Sequence, residues 1–136
     1  LAPAEMCIRD REVVVDGAYM AGADGSVPGL ANVEATGYVR MWKAAQAGDW
    51  ATVKKEQDWL SALMRIVTVP SGVAGFGAGV GAFKTAMALL GVFDTNQMPN
   101  PVLPLQGENV EAIAGVLKEV GLTLAKTPEE VSASTK

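Results

Sequence analysis

Between two stretches with helical patterning, residues 23–33 read ADGSVPGLANV. Small residues, one proline and the glycines Gly25 and Gly29 suit a short turn, yet Ser26 and Val27 in their middle also suit the first step of a very short, buried strand. The remainder is mainly helical in pattern, with four or five helices and at most two short strands in all. No internal repeat at a solenoid period is present.

Residues 12–21 (EVVVDGAYMA) start with β-branched residues but run into the turn AGADG, and the balance favours a helix. Tyr38, Met41, Trp42 and Ala45 fall at helical spacing, Gly48 is placed to stop that helix, and Asp49 to cap the next. That next helix, from Trp50 to about Ile66, carries Val53, Leu60, Leu63, Met64 and Val67 on one side. Pro70 and a glycine-rich stretch follow, then a helix from Ala82 stopped by Gly91. MPNPVLPL, residues 98–105, is expected to run extended. The last helix carries Val110, Ile113, Leu117 and Val120 as its apolar stripe, with Glu108 and Glu111 at its N-terminal dipole and Gly121 closing it. The tail from Lys126 is expected to fray.

At 136 residues the chain has the size of one domain, and with 49% apolar residues it is not a disordered polymer. A net charge of −4 without a basic run argues against a nucleic-acid surface. The lone Cys7 cannot form an internal disulfide, and the start LAPAEMCIRDR lacks the pattern of an export signal, which points to a reducing cytoplasm. The uncharged run between Arg65 and Lys84 is marginal for a membrane span and is diluted by Pro70 and five glycines, so a buried soluble segment is expected. Absence of histidine removes the commonest general base and metal ligand, together with every Ser-His or Cys-His pair. No metal site and no cofactor are expected.

Several motifs invite a sharper reading. Gly77 to Ala82 (GAGVGA) matches a loose GxGxxA dinucleotide turn, with IVTV, residues 66–69, as its strand and Asp94 as its acidic residue. Pro70 to Gly75 intervene where that motif needs a direct passage from strand to turn, which weighs against it. Lys84-Thr85 resembles the end of a phosphate loop, but Phe83 stands where glycine is required. Lys84 is also the obvious amine nucleophile, weighed against a lysine whose stem merely packs along a helix. The carboxylate pairs Asp10/Glu12, Glu108/Glu111 and Glu129/Glu130 lack a basic or metal-binding partner and read as solvated helix ends. Trp42, Trp50 and Trp59 fall at core spacing on helices.

The ordered series GADGSVPGLANV, AAQAGDW, AFKTAMALLGV, PVLPL and KEVGL resembles the end of the dihydrodipicolinate synthase and N-acetylneuraminate lyase family of pyruvate-dependent class I aldolases, over about Glu12 to Leu124. The resemblance implies an α/β protein, the C-terminal fragment of a (β/α)8 TIM barrel, the fragment itself mainly α-helical with one short strand. Gly25 to about Gly29 would be the eighth strand. Residues 12–48 would be the last barrel units and 49–124 a helical extension that in this family often packs subunits into a homo-oligomer, with 125–136 a frayed tail. In the family a lysine amine condenses with pyruvate, a tyrosine relays protons and a GGT/S-type turn holds the carboxylate. None of these is matched here: no GGT or GGS occurs, and neither Tyr19 nor Tyr38 has the YxxP context. One position carries over, the main-chain carbonyl of Val27, which would face the pyruvate-derived part of the substrate. Pro28 departs from the serine or glycine often found after it.

The start departs further. Where the seventh strand should appear the chain has MCIRDR, which resembles translated sequencing-adapter DNA, so residues 1–11 are read as non-native or disordered. The expected function is that of an aldolase/lyase or synthase fragment, inactive by itself for want of the Schiff-base lysine, with pyruvate as the small-molecule partner and no nucleic acid or membrane. The alternatives are an independent helical interaction module and, behind it, a dinucleotide-binding unit.

Overall fold

The computed structural model describes residues 7–9 and 12–134. They form two compact units that meet in sequence at Met64 and Arg65. The first contains two short parallel strands, β1 (Cys7–Arg9) and β2 (Gly25–Val27), in the register Cys7 to Gly25, Ile8 to Ser26 and Arg9 to Val27. Between them run a 3-10 turn, Glu12–Val14, and helix α1 (Val15–Met20). Parallel neighbours need such a crossover, which makes this a βαβ unit of the α/β class. Most of the expected non-native or disordered start, residues 1–6 and 10–11, lies outside the described residues. Cys7–Arg9 pairs with β2 as a short parallel strand.

After β2 a 3-10 turn, Gly29–Asn32, leads into α2 (Ala35–Gln46), which is followed by α3 (Trp50–Leu63). The Glu34 carboxylate caps α2 by accepting from the Thr36 and Gly37 N–H groups at 2.7 and 3.2 Å. Asp49 caps α3 as expected, accepting from Thr52 N–H at 3.1 Å. The two helices press together at Gly37, where an added Cβ would lie 2.9 Å from the Trp59 ring. The buried face of α3 consists of Val53, Gln57, Leu60 and Leu63, so a polar side chain occupies the stripe.

Gln57 makes the packing specific. Its Oε1 accepts from Asp16 N–H at 3.1 Å, and its Nε2 donates to the Glu12 carbonyl at 2.9 Å and to Ser61 Oγ at 3.0 Å. These bonds fasten α3 to the start of α1, and the compact unit that holds the βαβ pair runs through α3 to Met64.

The second unit, Arg65–Lys136, contains α4 (Gly79–Leu89), α5 (Glu108–Glu119) and α6 (Pro128–Ala133). Ala82, Ala86, Ala88 and Leu89 of α4 are buried, as are Val110, Ile113, Val116 and Leu117 of α5 and Val131 of α6. Helix α4 starts at Gly79, three residues ahead of the expected Ala82, so the glycine run is partly helical. Two expectations for this unit are corrected. Residues 98–105 are extended only in part, since Val102 N–H bonds to the Pro99 carbonyl at 3.0 Å and closes a turn over Asn100 and Pro101. The tail expected to fray is helical: Thr127 and Glu130 form a reciprocal capping box and Val131 is fully buried. The signature TPEE was readable in the sequence, and the burial of Val131 completes it.

Candidate functional site

The chemistry expected of the chain centres on β2. Ser26 Oγ lies 2.6 Å from the Tyr19 hydroxyl on α1, so the middle of the strand faces that helix. Side chains alternate along a strand, which turns Val27 to the opposite face. Val27 is 62% exposed there. Beyond it Pro28 is buried, and Gly29 N–H donates to Glu12 Oε1 at 2.9 Å, tying the exit of the strand to the entry of α1. Asn32 Nδ2 braces the following turn by donating to the Gly29 carbonyl at 2.9 Å. The strand is thus held at its middle and just past its exit, although it has only three residues.

Beside it opens a cavity of about 410 Å³, lined by β2 and the turn after it, by Tyr19 of α1, and by Tyr38, Val39, Trp42 and Lys43 of α2. The rings of Tyr19 and Trp42 meet edge to face with centroids 5.0 Å apart. Tyr38 is 6% exposed, and among the described residues its buried hydroxyl has no hydrogen-bond partner. Such a group costs about 1–3 kcal/mol when left unpaired. Sequence reasoning rejected Tyr38 as a YxxP tyrosine and had no signal for its unpaired state. Val27 is not among the residues lining this cavity, so the structure does not bring the one transferred position together with the aromatic group.

Burial raises the Tyr38 pKa, and the nearby Glu12 carboxylate and Tyr19 raise it further. The sign of the stability effect follows. The ordinary tyrosine pKa is about 10, and the folded hydroxyl holds its proton more tightly than the unfolded one, so the folded state keeps its full advantage below that pH and loses it as the pH rises towards the raised value. Chemical denaturation between pH 9 and pH 11.5 is expected to show a stability decline that is shallower in Tyr38→Phe.

The other candidates do not assemble into sites. Lys84 is half-buried on α4 and donates from Nζ to the Gln97 carbonyl at 2.8 Å, a packed lysine rather than a free amine. The dinucleotide reading is corrected: Met64–Val67 forms a 3-10 turn where that motif needs a strand, and Gly79 and Gly81 lie within α4. Glu129 and Glu130 stand in the first turn of α6, where Glu130 completes the capping box. The buried polar side chains sequence reasoning missed are Gln57, Thr85 and Asn96; Asn96 Nδ2 donates to Thr85 Oγ1 at 3.0 Å and to the Leu105 carbonyl at 2.8 Å. Among the described residues no three His, Cys, Asp or Glu side chains cluster as metal ligands, and no helix is long and apolar enough to cross a membrane.

Comparison with curated protein sequences finds no match. Among solved structures, the chain is similar to dihydrodipicolinate synthase from the commensal bacterium Bacteroides thetaiotaomicron, with a TM-score of 0.75 and 23% sequence identity. The similarity covers 85% of this chain and 37% of that one, so the chain spans well under half the length of the solved synthase. The described strands and helices are accordingly part of a TIM barrel fold. The sequence model of the dihydrodipicolinate synthetase family matches residues 10–120. With that pattern running through most of its length and a synthase fold beneath it, the chain belongs to the dihydrodipicolinate synthetase family.

Proposed function

We propose that this chain supplies the last strand and the C-terminal helices of a Schiff-base-forming aldolase/lyase or synthase acting on pyruvate and an aldehyde. The observation that carries the reading is β2: a clamped, three-residue parallel strand with an exposed Val27, inside the stretch that matches the family. In the proposed reaction a lysine amine outside these residues adds to the pyruvate carbonyl and water leaves; the resulting iminium takes up the electron pair of a C–C bond that breaks, or that of a C–H bond whose proton is removed, giving an enamine that then attacks the aldehyde carbon. The role of this chain is to wall the site. The Val27 main-chain carbonyl faces the pyruvate-derived part, a polar contact that needs no particular side chain. Exposed Phe76 and Leu103 on the second unit support packing between subunits, and a reducing cytoplasm is the setting that suits the lone Cys7.

Kinetics test the carbonyl role, with the chain joined to the part of the Bacteroides thetaiotaomicron synthase that it does not span. Val27→Ala keeps the carbonyl and is expected to change KM for pyruvate by less than about threefold, whereas Val27→Glu sets a carboxylate beside an anionic substrate and is expected to raise it by more than about tenfold, the equivalent of ~1.4 kcal/mol. Equal effects of the two variants would remove Val27 from the site.

A second reading has one observation in its favour. The second unit closes its own core around Leu89, Ile113, Leu117 and Val131, as an independent helical interaction module would. That module is expected to unfold in one transition at a midpoint independent of concentration; a midpoint that rises with concentration would favour the barrel part instead.

A further inference from the structure

Among the described residues the pairing of β2 with β1 ends where Arg9 stands opposite Val27, so past that point the ladder no longer orients the chain. The next residue, Pro28, has no N–H to offer, and the first backbone donor beyond Val27 is Gly29. That N–H reaches back 17 residues to Glu12 Oε1, at 2.9 Å. Glu12 is itself fixed through its main chain, whose carbonyl accepts from the buried Gln57 Nε2 at 2.9 Å. Peptide units are planar, so only two soft torsions, Pro28 φ and ψ, separate the Val27 carbonyl from the Gly29 N–H. The proline ring locks the first, here at −76°, while ψ is 140°. Holding the Gly29 N–H therefore holds the Val27 carbonyl through a single rotatable bond. On the other side of Val27, the bond between the Ser26 and Tyr19 hydroxyls grips a side chain and leaves that carbonyl's direction to Glu12.

We infer that Glu12 is a positioning residue for the reaction: by accepting from the Gly29 N–H, its carboxylate fixes the direction of the Val27 main-chain carbonyl towards the pyruvate-derived part of the substrate. The inference rests on the proposed function, because it takes that carbonyl to face the substrate. A carboxylate suits the task, since a charged acceptor makes a shorter and stronger bond to a backbone N–H than a neutral one. Glu12 acts through the backbone, so what matters is the reach of its oxygen, with charge secondary.

Steady-state kinetics of the fused enzyme, the chain joined to the part of the Bacteroides thetaiotaomicron synthase that it does not span, separate reach from charge. Glu12→Gln keeps the reach and an oxygen for the Gly29 N–H, and is expected to leave KM for pyruvate within about threefold of the unaltered value; Glu12→Asp keeps the charge but is one methylene short, and is expected to raise KM about tenfold. Gly29→Pro deletes the donor and leaves Glu12 in place, at the first position of a helical turn that proline suits, and is expected to raise KM to a similar extent. A merely structural role would lower the amount of active enzyme, and so the apparent kcat, at an unchanged KM. Direct contact of the Glu12 charge with substrate would reverse the order and make Glu12→Gln the worse variant. Either result would overturn the inference, and would leave the proposed function standing if Val27→Ala and Val27→Glu still differ as expected. Equal effects of the two Val27 variants would overturn both.

Discussion

Gln57→Ala is expected to cost the first unit about 2–4 kcal/mol. The substitution strands the Asp16 N–H and the Glu12 carbonyl, each part-buried and each bonded to Gln57, and an unsatisfied buried group costs ~1–3 kcal/mol. A small domain has only 5–15 kcal/mol in all, so urea denaturation should show a large drop in midpoint. Gln57→Glu gives a sharper result. It keeps the shape and the acceptor for Asp16, but an ionised carboxylate cannot donate to the Glu12 carbonyl. Burial and that carbonyl favour the protonated acid, so the introduced group has a raised pKa in the folded state. The variant should therefore be nearest in stability to the unaltered chain below the ordinary glutamate pKa of about 4.3 and lose ground as pH rises from there to the raised folded value, above which the difference is constant. A pH-independent loss would mean that the bond to Glu12 contributes little.

Gly91→Ala is expected to be comparably harmful in the second unit. Gly91 has φ +79, a left-handed conformation, and an added Cβ would lie 2.8 Å from Ala125 Cβ. The left-handed backbone costs a non-glycine residue about 1–2 kcal/mol, and the clash is with an atom fixed to the backbone. Ala125 cannot easily retreat, since its N–H and that of Lys126 both donate to the Leu89 carbonyl, at 2.9 and 3.1 Å. A total of about 2–4 kcal/mol is expected, adding an overpacking cost of ~1–3 kcal/mol to part of the backbone strain. The double variant Gly91→Ala with Ala125→Gly separates the two causes: it should recover the steric part and leave the conformational part. Recovery of nothing would place the whole cost in the backbone.

Much of this architecture was legible before any coordinates. Asp49 and Gly48 mark a helix junction through local chemistry, and local chemistry survives into the fold: Asp49 caps α3 and Gly48 takes a left-handed φ of 71°. The strand at Ser26 and Val27 was visible because small residues and a proline bracket it. Less legible were features set by distant partners. Gln57 reads as a surface glutamine until the Glu12 and Asp16 backbone is placed against it. The tail reads as frayed until Val131 finds its place in the second core, although TPEE signals a helix start. Cys7–Arg9 carries no strand pattern of its own; its extended form follows from pairing with β2. Of the candidate site, Val27 was nominated through an ordered series of weak matches, while the unpaired Tyr38 hydroxyl is a property of three-dimensional packing alone.

The central claim is that this chain walls a pyruvate site whose amine lies elsewhere. Borohydride reduction in the presence of pyruvate, followed by peptide mass mapping, tests it most directly, first on the chain alone and then on its complex with the uncovered part of the Bacteroides thetaiotaomicron synthase. Reductive trapping fixes any Schiff base to the lysine that formed it. The expected result is no adduct on the isolated chain and, in the complex, an adduct confined to the synthase portion. A stable pyruvate adduct on Lys84, on Lys43 at the cavity rim, or on any other lysine of this chain would contradict the account.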